Sequence, residues 1–386
     1  MSLEIGLRAL VGEEGRVSPH EFAVGGQSPP FAIAPVNEEE LAATLKHASA
    51  SGAGCSVFGS GSMRNAGNSL SPYDFALSGH RLKPLIDFQP EEMIVTVSCS
   101  VAFPELQRAL AEAGHWLPWN PPASNGTIGG IIATGRSGSL RFRHGTPRDR
   151  LLAMRMALAN GNLIKSGAKV VKSVAGYDLH RLFCGSWGVL GVILEVTLKT
   201  SPRPERSAWF VAKTDEPEQA IANILSSPAQ PDAIDVINTK TLAVALSGFE
   251  EEVDWQLQAI KNLGIDLAPG DEPVVPTDSP VLAKIVCRPS DTIEVAQKLA
   301  QTASVDTLAH AGSGIVYAYS DDQGAADLLA SLRSELGLKM MFWSLPPEKK
   351  ATVRAWPELG DAAGLMKAIK QRFDPSGLFE PGRFFP

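Results

Sequence analysis

The chain has 386 residues, 44% of them hydrophobic, and 42 acidic against 35 basic side chains give a formal net charge of −7. That length permits two or more domains with real cores, and an acidic balance without a basic stripe excludes a nucleic-acid partner. No apolar run reaches the roughly 18 residues a transmembrane helix needs, no basic-then-apolar leader opens the sequence, and Cys55, Cys99, Cys184 and Cys287 show no C-x-x-C spacing, so a soluble cytoplasmic protein without its own iron–sulfur cluster or zinc ribbon is expected.

After an N-terminal tail or strand, Asn37-Glu-Glu-Glu40 predicts a helix start, with Asn37 as cap and Leu41, Leu45 and Ala48 on one face. Gly52 and Gly54 end that helix, and Cys55–Phe58 reads as a short buried strand. The turn that follows, Gly59-Ser60-Gly61-Ser62-Met63, can cradle an anion through successive N–H groups and hydroxyls, although a plain surface loop fits as well. It lacks the Gly-Lys-Ser/Thr of a P-loop and the G-x-G-x-x-G of a Rossmann site. Met93–Val97 alternates as a strand, and Ala102–Ala113 predicts a helix with Pro104 in its first turn.

Pro121 to Leu198 is the most informative stretch. Its glycines, in Thr127-Ile128-Gly129-Gly130, Thr134-Gly135, Ser137-Gly138 and Gly185-Ser-Trp-Gly188-Val-Leu-Gly191-Val192-Ile193, recur where apolar runs meet turns. Residues without Cβ let the main chain approach a flat or charged ligand closely. Two such runs, joined by a hairpin with a type I′ signal at Asn160-Gly161, point to a large cofactor held by backbone groups. The basic cluster Arg136, Arg141, Arg143, His144 and Arg148 is either a partner for a pyrophosphate or a solvated loop.

From about Ser207 the pattern changes. Strands at Thr241–Leu246, Val281–Cys287 and Gly314–Tyr319 alternate with amphipathic helices near Glu216–Leu225, Glu250–Leu263, Asp291–Thr302 and Asp322–Glu335. That order predicts an α+β layer with helices on one face of a sheet. Ala268–Pro280 reads as a flexible acidic loop, and Glu358–Arg372 as a last helix before a turn-rich tail, Phe373-Asp-Pro-Ser-Gly-Leu-Phe-Glu380-Pro-Gly-Arg383.

Together the two glycine runs, Asn160-Gly161, and Val174-Ala-Gly-Tyr177-Asp178-Leu-His180-Arg181-Leu-Phe183 resemble the vanillyl-alcohol-oxidase/PCMH-type FAD-binding family. The last run and the tail are similar to one narrower group, the FAD-binding subunits of glycolate oxidase. The resemblance spans nearly the whole chain and is weakest across the middle. It implies an α+β fold: a PCMH-type FAD-binding domain over residues 1–205, with α+β subdomains at about 20–98 and 99–205. An α+β cap domain with an antiparallel sheet would follow over 206–345, and a C-terminal segment, 346–386, would return to the FAD domain.

By position, the resemblance implies FAD held by Gly59, Ser60, Gly61, Ser62 and Met63 at the pyrophosphate. Pro122, Thr127, Ile128, Gly129, Gly130, Thr134, Ser137 and Gly138 would line the flavin and diphosphate, Gly191, Val192 and Ile193 the adenine end, and Arg383 the cofactor or domain seam. Relatives that attach FAD covalently use a histidine in or near the pyrophosphate loop; Gly59–Asn68 has none, so non-covalent FAD is expected. Glu380 replaces a usual Asn. In related 2-hydroxy-acid dehydrogenases a Gly-His-x-Gly-Asp-Gly-Asn-x-His run helps hold a metal and the substrate. Here it has become Ala309-His310-Ala-Gly-Ser313-Gly-Ile315-Val-Tyr317, so no metal site is expected and His310 reads as structural.

The resemblance implies the FAD-binding subunit of a multi-subunit glycolate oxidase that makes glyoxylate. Its partners would be a second FAD-containing catalytic subunit and an iron–sulfur subunit, and it would meet a membrane only peripherally, through that assembly. The residues assign no catalytic base in this chain. Two alternatives stand beside this reading: a stand-alone FAD-dependent 2-hydroxy-acid or alcohol dehydrogenase, with Tyr177, His180, Arg181 and His310 as its polar groups, and a non-catalytic scaffold subunit.

Overall fold

A computed structural model describes residues 2–25, 27–69, 73–169 and 177–384. The chain opens with a helix, Leu3–Val11, where a tail or strand was expected. Ser2 caps it, accepting from the Ile5 N–H, and Leu7 and Val11, four apart, are buried against the next helix. That next helix, Glu38–Ala50, is the predicted one. Asn37 Oδ1 accepts from the Glu40 N–H at 2.8 Å, and the Glu40 carboxylate accepts from the Val36 N–H at 3.0 Å. Both helices cover a four-stranded sheet in the order Arg16–Val17, Phe31–Ile33, Phe75–Ser78, Cys55–Phe58, its last three strands parallel.

A five-stranded antiparallel sheet follows, in the order Ile86–Gln89, Ile94–Ser98, Val192–Lys199, Leu151–Ala157, Leu163–Gly167. The helices Phe103–Ala111 and Ile128–Thr134 pack on it through Leu106, Leu110, Ile131 and Ile132. The hairpin at Asn160-Gly161 is present, but its turn is not type I′. Only Gly161 has positive φ, and Leu158 N–H donates to Asn162 O, so a three-residue loop with a left-handed third position closes it. In the motif Val174–Phe183, residues 174–176 lie outside the described residues; Leu179–Phe183 is a short helix, and Asp178 pairs with Arg181 at 3.5 Å.

The C-terminal segment returns to this half. After the helix Ala362–Phe373, the Cys55 N–H donates to Leu378 O at 2.7 Å and the Glu380 N–H to Cys55 O at 2.8 Å, which adds the tail to the edge of the four-stranded sheet.

Residues 206–344 form an eight-stranded antiparallel sheet in the order 268–270, 206–213, 241–248, 233–237, 306–310, 315–320, 281–286, 339–344. All four predicted helices lie on one face, where Ala220, Ile224, Val253, Ile260, Leu299 and Leu329 share a core with Phe210, Val236, Val244, Ile285 and Phe342. The strands Arg206–Lys213, Ala233–Ile237, Asp306–His310 and Lys339–Ser344 were not anticipated. Ala268–Gly270, expected in a flexible loop, instead pairs with Trp209–Val211. The opposite face packs on the N-terminal half. Leu282, Leu308, Ile315, Tyr317 and Trp343 meet Met63 and Trp187, while Ala233 and Ala245 meet Leu140 and Trp116. No helix among the described residues is long and apolar enough to cross a membrane.

Candidate cofactor site

Where the strand Cys55–Phe58 ends, the chain turns through Gly59–Met63 into a cleft of about 370 Å³. The N–H groups of Ser60, Gly61, Ser62 and Met63 donate to no other described residue, so four consecutive donors border that space. Carbonyls on the outer side of the same loop are taken up by the C-terminal segment. Lys350 Nζ donates to Asn65 O at 2.6 Å, and Arg383 donates to Ala66 O at 2.9 Å, Met63 O at 2.7 Å and Arg64 O at 3.0 Å. A loop with its acceptors consumed and its donors free suits an anion.

The facing wall is the helix Ile128–Thr134. Thr127 caps it, accepting from the Gly130 N–H at 3.2 Å, and the helix start is tied down by Gly129 N–H to Cys99 O at 3.0 Å and Ile128 N–H to Val101 O at 2.9 Å. The two glycines do different work. A Cβ on Gly129 would sit 2.7 Å from Cys99 Cβ, so that glycine permits a close packing contact. On Gly130 the nearest atom would be Thr127 Oγ1 at 3.4 Å, so that position faces the cleft.

Of the residues expected to hold the cofactor, Gly59, Ser60, Gly61, Ser62, Met63, Thr127, Gly129, Gly130, Thr134, Gly191, Val192, Ile193 and Arg383 meet around this one cleft. Pro122, Ile128, Ser137 and Gly138 do not line it. Ile128 is fully buried in the hydrophobic core, and Ser137 is buried behind the wall with no hydrogen-bond partner among the described residues. Pro122 O accepts from Arg136 Nη1 at 2.9 Å. A Cβ on Gly138 would lie 1.9 Å from Asn120 O, so that glycine is required by packing. These four shape the wall from behind.

Within the basic cluster Arg136 stands apart. It is wholly buried, lines the cleft, and donates to Pro122 O, Ala123 O, Thr134 Oγ1 and Ser62 Oγ, with no carboxylate partner among the described residues. Burial pushes its guanidinium down to about 10, which leaves it charged at neutral pH. Arg143 and His144 instead reach Asp232 across the seam to the eight-stranded sheet, at 3.3 and 3.2 Å.

Arg383 lines the cleft, but its donors are directed to three carbonyls and to the Glu380 carboxylate at 3.0 Å, so it braces the loop. Glu380 also accepts from Ser56 Oγ at 2.9 Å and the Val57 N–H at 2.8 Å. His80, Trp187, Gly188 and Glu380 line the cleft without having been anticipated there. Trp187 and Gly188 sit within the second glycine run, His80 lies outside both runs and carried no signal, and Glu380 stood out as a departure from its motif. His80 Nδ1 is hydrogen-bonded to Ser78 Oγ at 2.8 Å.

Facing this half from the eight-stranded sheet, His310 is buried and its Nδ1 is 2.9 Å from Asp235 Oδ1, as a hydrogen-bonded structural histidine would be. Among the described residues no group of three or more His, Cys, Asp or Glu stands close enough to hold a metal ion.

The sequence from residue 29 to 167 matches the family model described as FAD binding domain. The matched span contains both the loop and the capped helix, and their unpaired donors, buried Arg136 and open Gly130 position fit a cofactor with a charged diphosphate and a flat ring.

The whole chain has the fold of p-cresol methylhydroxylase. It superimposes on that substrate-bound structure with a TM-score of 0.75 at 15% identity, over 99% of this chain and 96% of that one. It is 29% identical to the mitochondrial D-lactate dehydrogenase [cytochrome] of Arabidopsis thaliana, covering 91% of this chain and 57% of that protein. It is 30% identical to glycolate oxidase subunit GlcD of Bacillus subtilis, covering 56% of this chain and 47% of the relative. The glycolate oxidase subunit GlcE of Escherichia coli K12 matches at 34%, over 38% of this chain and 42% of that subunit. The chain thus spans about half the length of these curated relatives.

Proposed function

We propose that this chain is the FAD-binding subunit of a multi-subunit flavin-dependent oxidoreductase that oxidises glycolate to glyoxylate. FAD binds without a covalent link, Gly59–Met63 and the Thr127–Thr134 wall hold it, and Gly191–Ile193 meet its far end. The domains are read as FAD-binding over 1–205, a cap over 206–345 and a returning segment over 346–386. The observation that carries the reading is the run of unpaired N–H donors at Ser60–Met63 beside a buried Arg136 that donates to Ser62 Oγ, all bordering one cleft. Bound FAD supplies the two-electron acceptor for oxidation of a hydroxy acid. The chain's own residues fix its place: Arg136 anchors Ser62, and the Glu380–Arg383 pair anchors the backbone from Cys55 to Ala66.

Support for the assembly comes from the likeness to GlcD and GlcE, two subunits that share one enzyme name. The partners proposed are a second FAD-containing chain and an iron–sulfur chain. The degenerate run at Ala309–Tyr317 favours an accessory role over a stand-alone dehydrogenase, because it keeps a single imidazole, whose Nδ1 is held by Asp235. The test is purification of the tagged chain from its own cells, followed by identification of co-purifying chains and a glycolate-dependent dye-reduction assay. The reading expects activity in the complex and none in the chain alone. Full activity in the chain alone would support a stand-alone dehydrogenase.

A further inference from the structure

The loop Gly185–Gly188 brings to the cleft a side chain that the reading above leaves without a role. Gly185, Trp187 and Gly188 all have positive φ, at +81°, +57° and +78°. Glycine takes that conformation freely, but a bulky aromatic residue does not, so Trp187 is held against its own backbone preference. The cofactor wall holds it. The Gly185 N–H donates to Ile132 O at 2.9 Å and the Trp187 N–H to Ala133 O at 2.7 Å, which ties the loop to the last turn of the helix Ile128–Thr134. Backbone strain of this kind collects at functional sites, where the placement of a side chain outweighs its conformational cost.

Three parts of the molecule meet at Trp187. It lines the cleft together with Ala133 and Thr134. With Met63 it packs against the cluster of Leu282, Tyr317 and Trp343 on the eight-stranded sheet. It also meets Trp356 of the returning segment edge-on, the ring centres 5.1 Å apart and the planes at 81°. Trp356 is fixed in turn: its Nε1 donates to Arg383 O at 2.6 Å, and its ring centre lies 4.6 Å from that of Phe384. The C-terminal segment thus buttresses the Trp187 indole.

We propose that Trp187 positions the cofactor: its indole is the wall on which the flat flavin ring of FAD packs, and Trp356 holds that wall in place. FAD makes two demands on the cleft. The free N–H groups of Ser60–Met63 and the buried Arg136 suit its charged diphosphate. Its flat ring needs an apolar surface, and aromatic rings gain by packing on one another. Among the described residues, three aromatic side chains line the cleft. Phe58 is buried against Phe22, and His80 is tied to Ser78, whereas Trp187 stands at the seam with the eight-stranded sheet. This inference rests on the proposed FAD site and adds to it the residue that orients the ring.

The test is flavin fluorescence of the full chain reconstituted with FAD, freed of unbound cofactor by gel filtration and normalised to flavin absorbance. An indole in contact with a flavin quenches its emission by lending an electron to the excited ring, which then returns it. A phenol does the same, and a phenyl ring does not. Expected is strongly quenched emission in the wild type and emission several-fold higher in Trp187→Phe at unchanged flavin content. Quenching is largely kept in Trp187→Tyr, and Trp356→Phe gives a smaller rise. Should Trp187→Phe fail to fold, Trp187→Leu and Trp356→Phe are read in the same way. Equal emission per flavin in wild type and Trp187→Phe would overturn the contact, as would wild-type flavin as bright as free FMN. A wild type that takes up no FAD would overturn the cofactor reading and this inference with it, whereas normal FAD with unaltered emission in Trp187→Phe overturns this inference alone.

Discussion

Glu380 and Arg383 stand 3.0 Å apart, both buried, and between them they hold the Gly59–Met63 loop from two directions. Glu380 takes the Ser56 hydroxyl and the Val57 N–H at the loop's entry, and Arg383 takes the Met63, Arg64 and Ala66 carbonyls at its exit. Glu380 achieves this at φ +50°, in the left-handed region that a residue such as Asn tolerates more readily. The backbone conformation suits the Asn of related tails, while the carboxylate adds an ion pair.

Removing the carboxylate strands a buried guanidinium. Glu380→Ala is therefore expected to cost about 3–5 kcal/mol in urea unfolding, and Glu380→Gln less, because its amide oxygen still accepts from Val57 and Ser56. An alanine variant as stable as wild type would show that the clamp contributes nothing.

Gly130 separates cofactor binding from folding. Gly130→Leu places its side chain in the cleft without a backbone clash and replaces a helix-interior glycine, worth up to about 1 kcal/mol in its favour. The expected result is a melting temperature at or above wild type with FAD binding lost. Normal FAD content in a folded Gly130→Leu chain would remove the Thr127–Thr134 wall from the site.

Gly138 behaves in the opposite way. Its Cβ would strike Asn120 O, so Gly138→Ala is expected to destabilise the chain by about 1–3 kcal/mol while FAD per folded molecule stays unchanged. Selective loss of FAD at wild-type stability would place Gly138 on the cofactor after all.

Lys284 predicts a pH dependence of stability. Burial lowers its pKa from 10.5 to about 8 in the folded chain, so between those values the unfolded chain holds the proton and the folded chain has released it. Below pH 8 both states are charged and the full cost of burying the cation is present. As pH rises from 8 towards 10.5, wild-type stability should increase relative to Lys284→Met, by an amount of order 1–3 kcal/mol. Parallel stability curves for the two proteins across that window would contradict a desolvated ammonium at Lys284.

How legible each part was follows from burial. The capped helix at Asn37, the strand Cys55–Phe58 and the loop after it could be read because local signals set them: a cap, an apolar run and a glycine turn. The strand Ala233–Ile237, which was missed, lies between the helices and the N-terminal half, buried on both faces, so alternation is lost and length alone cannot tell strand from helix. The N-terminal helix was missed because its apolar stripe is short and its cap is the second residue. Within the site, glycines marked the walls but could not distinguish Gly130, which faces the cleft, from Gly138, which faces Asn120. Arg136 looked like one of several loop cations, and only the fold shows it turned inward onto Pro122, Ala123 and Ser62.

The central claim, that this chain holds FAD without a covalent bond and does not itself turn over glycolate, is tested most directly by an anaerobic visible spectrum. The purified chain is measured before and after glycolate is added, then precipitated with acid. The account predicts a flavin band that glycolate leaves unbleached and acid releases in full into the supernatant. A chain that shows no flavin band even after reconstitution with FAD would contradict it, as would flavin that stays with the acid pellet or bleaches on glycolate addition.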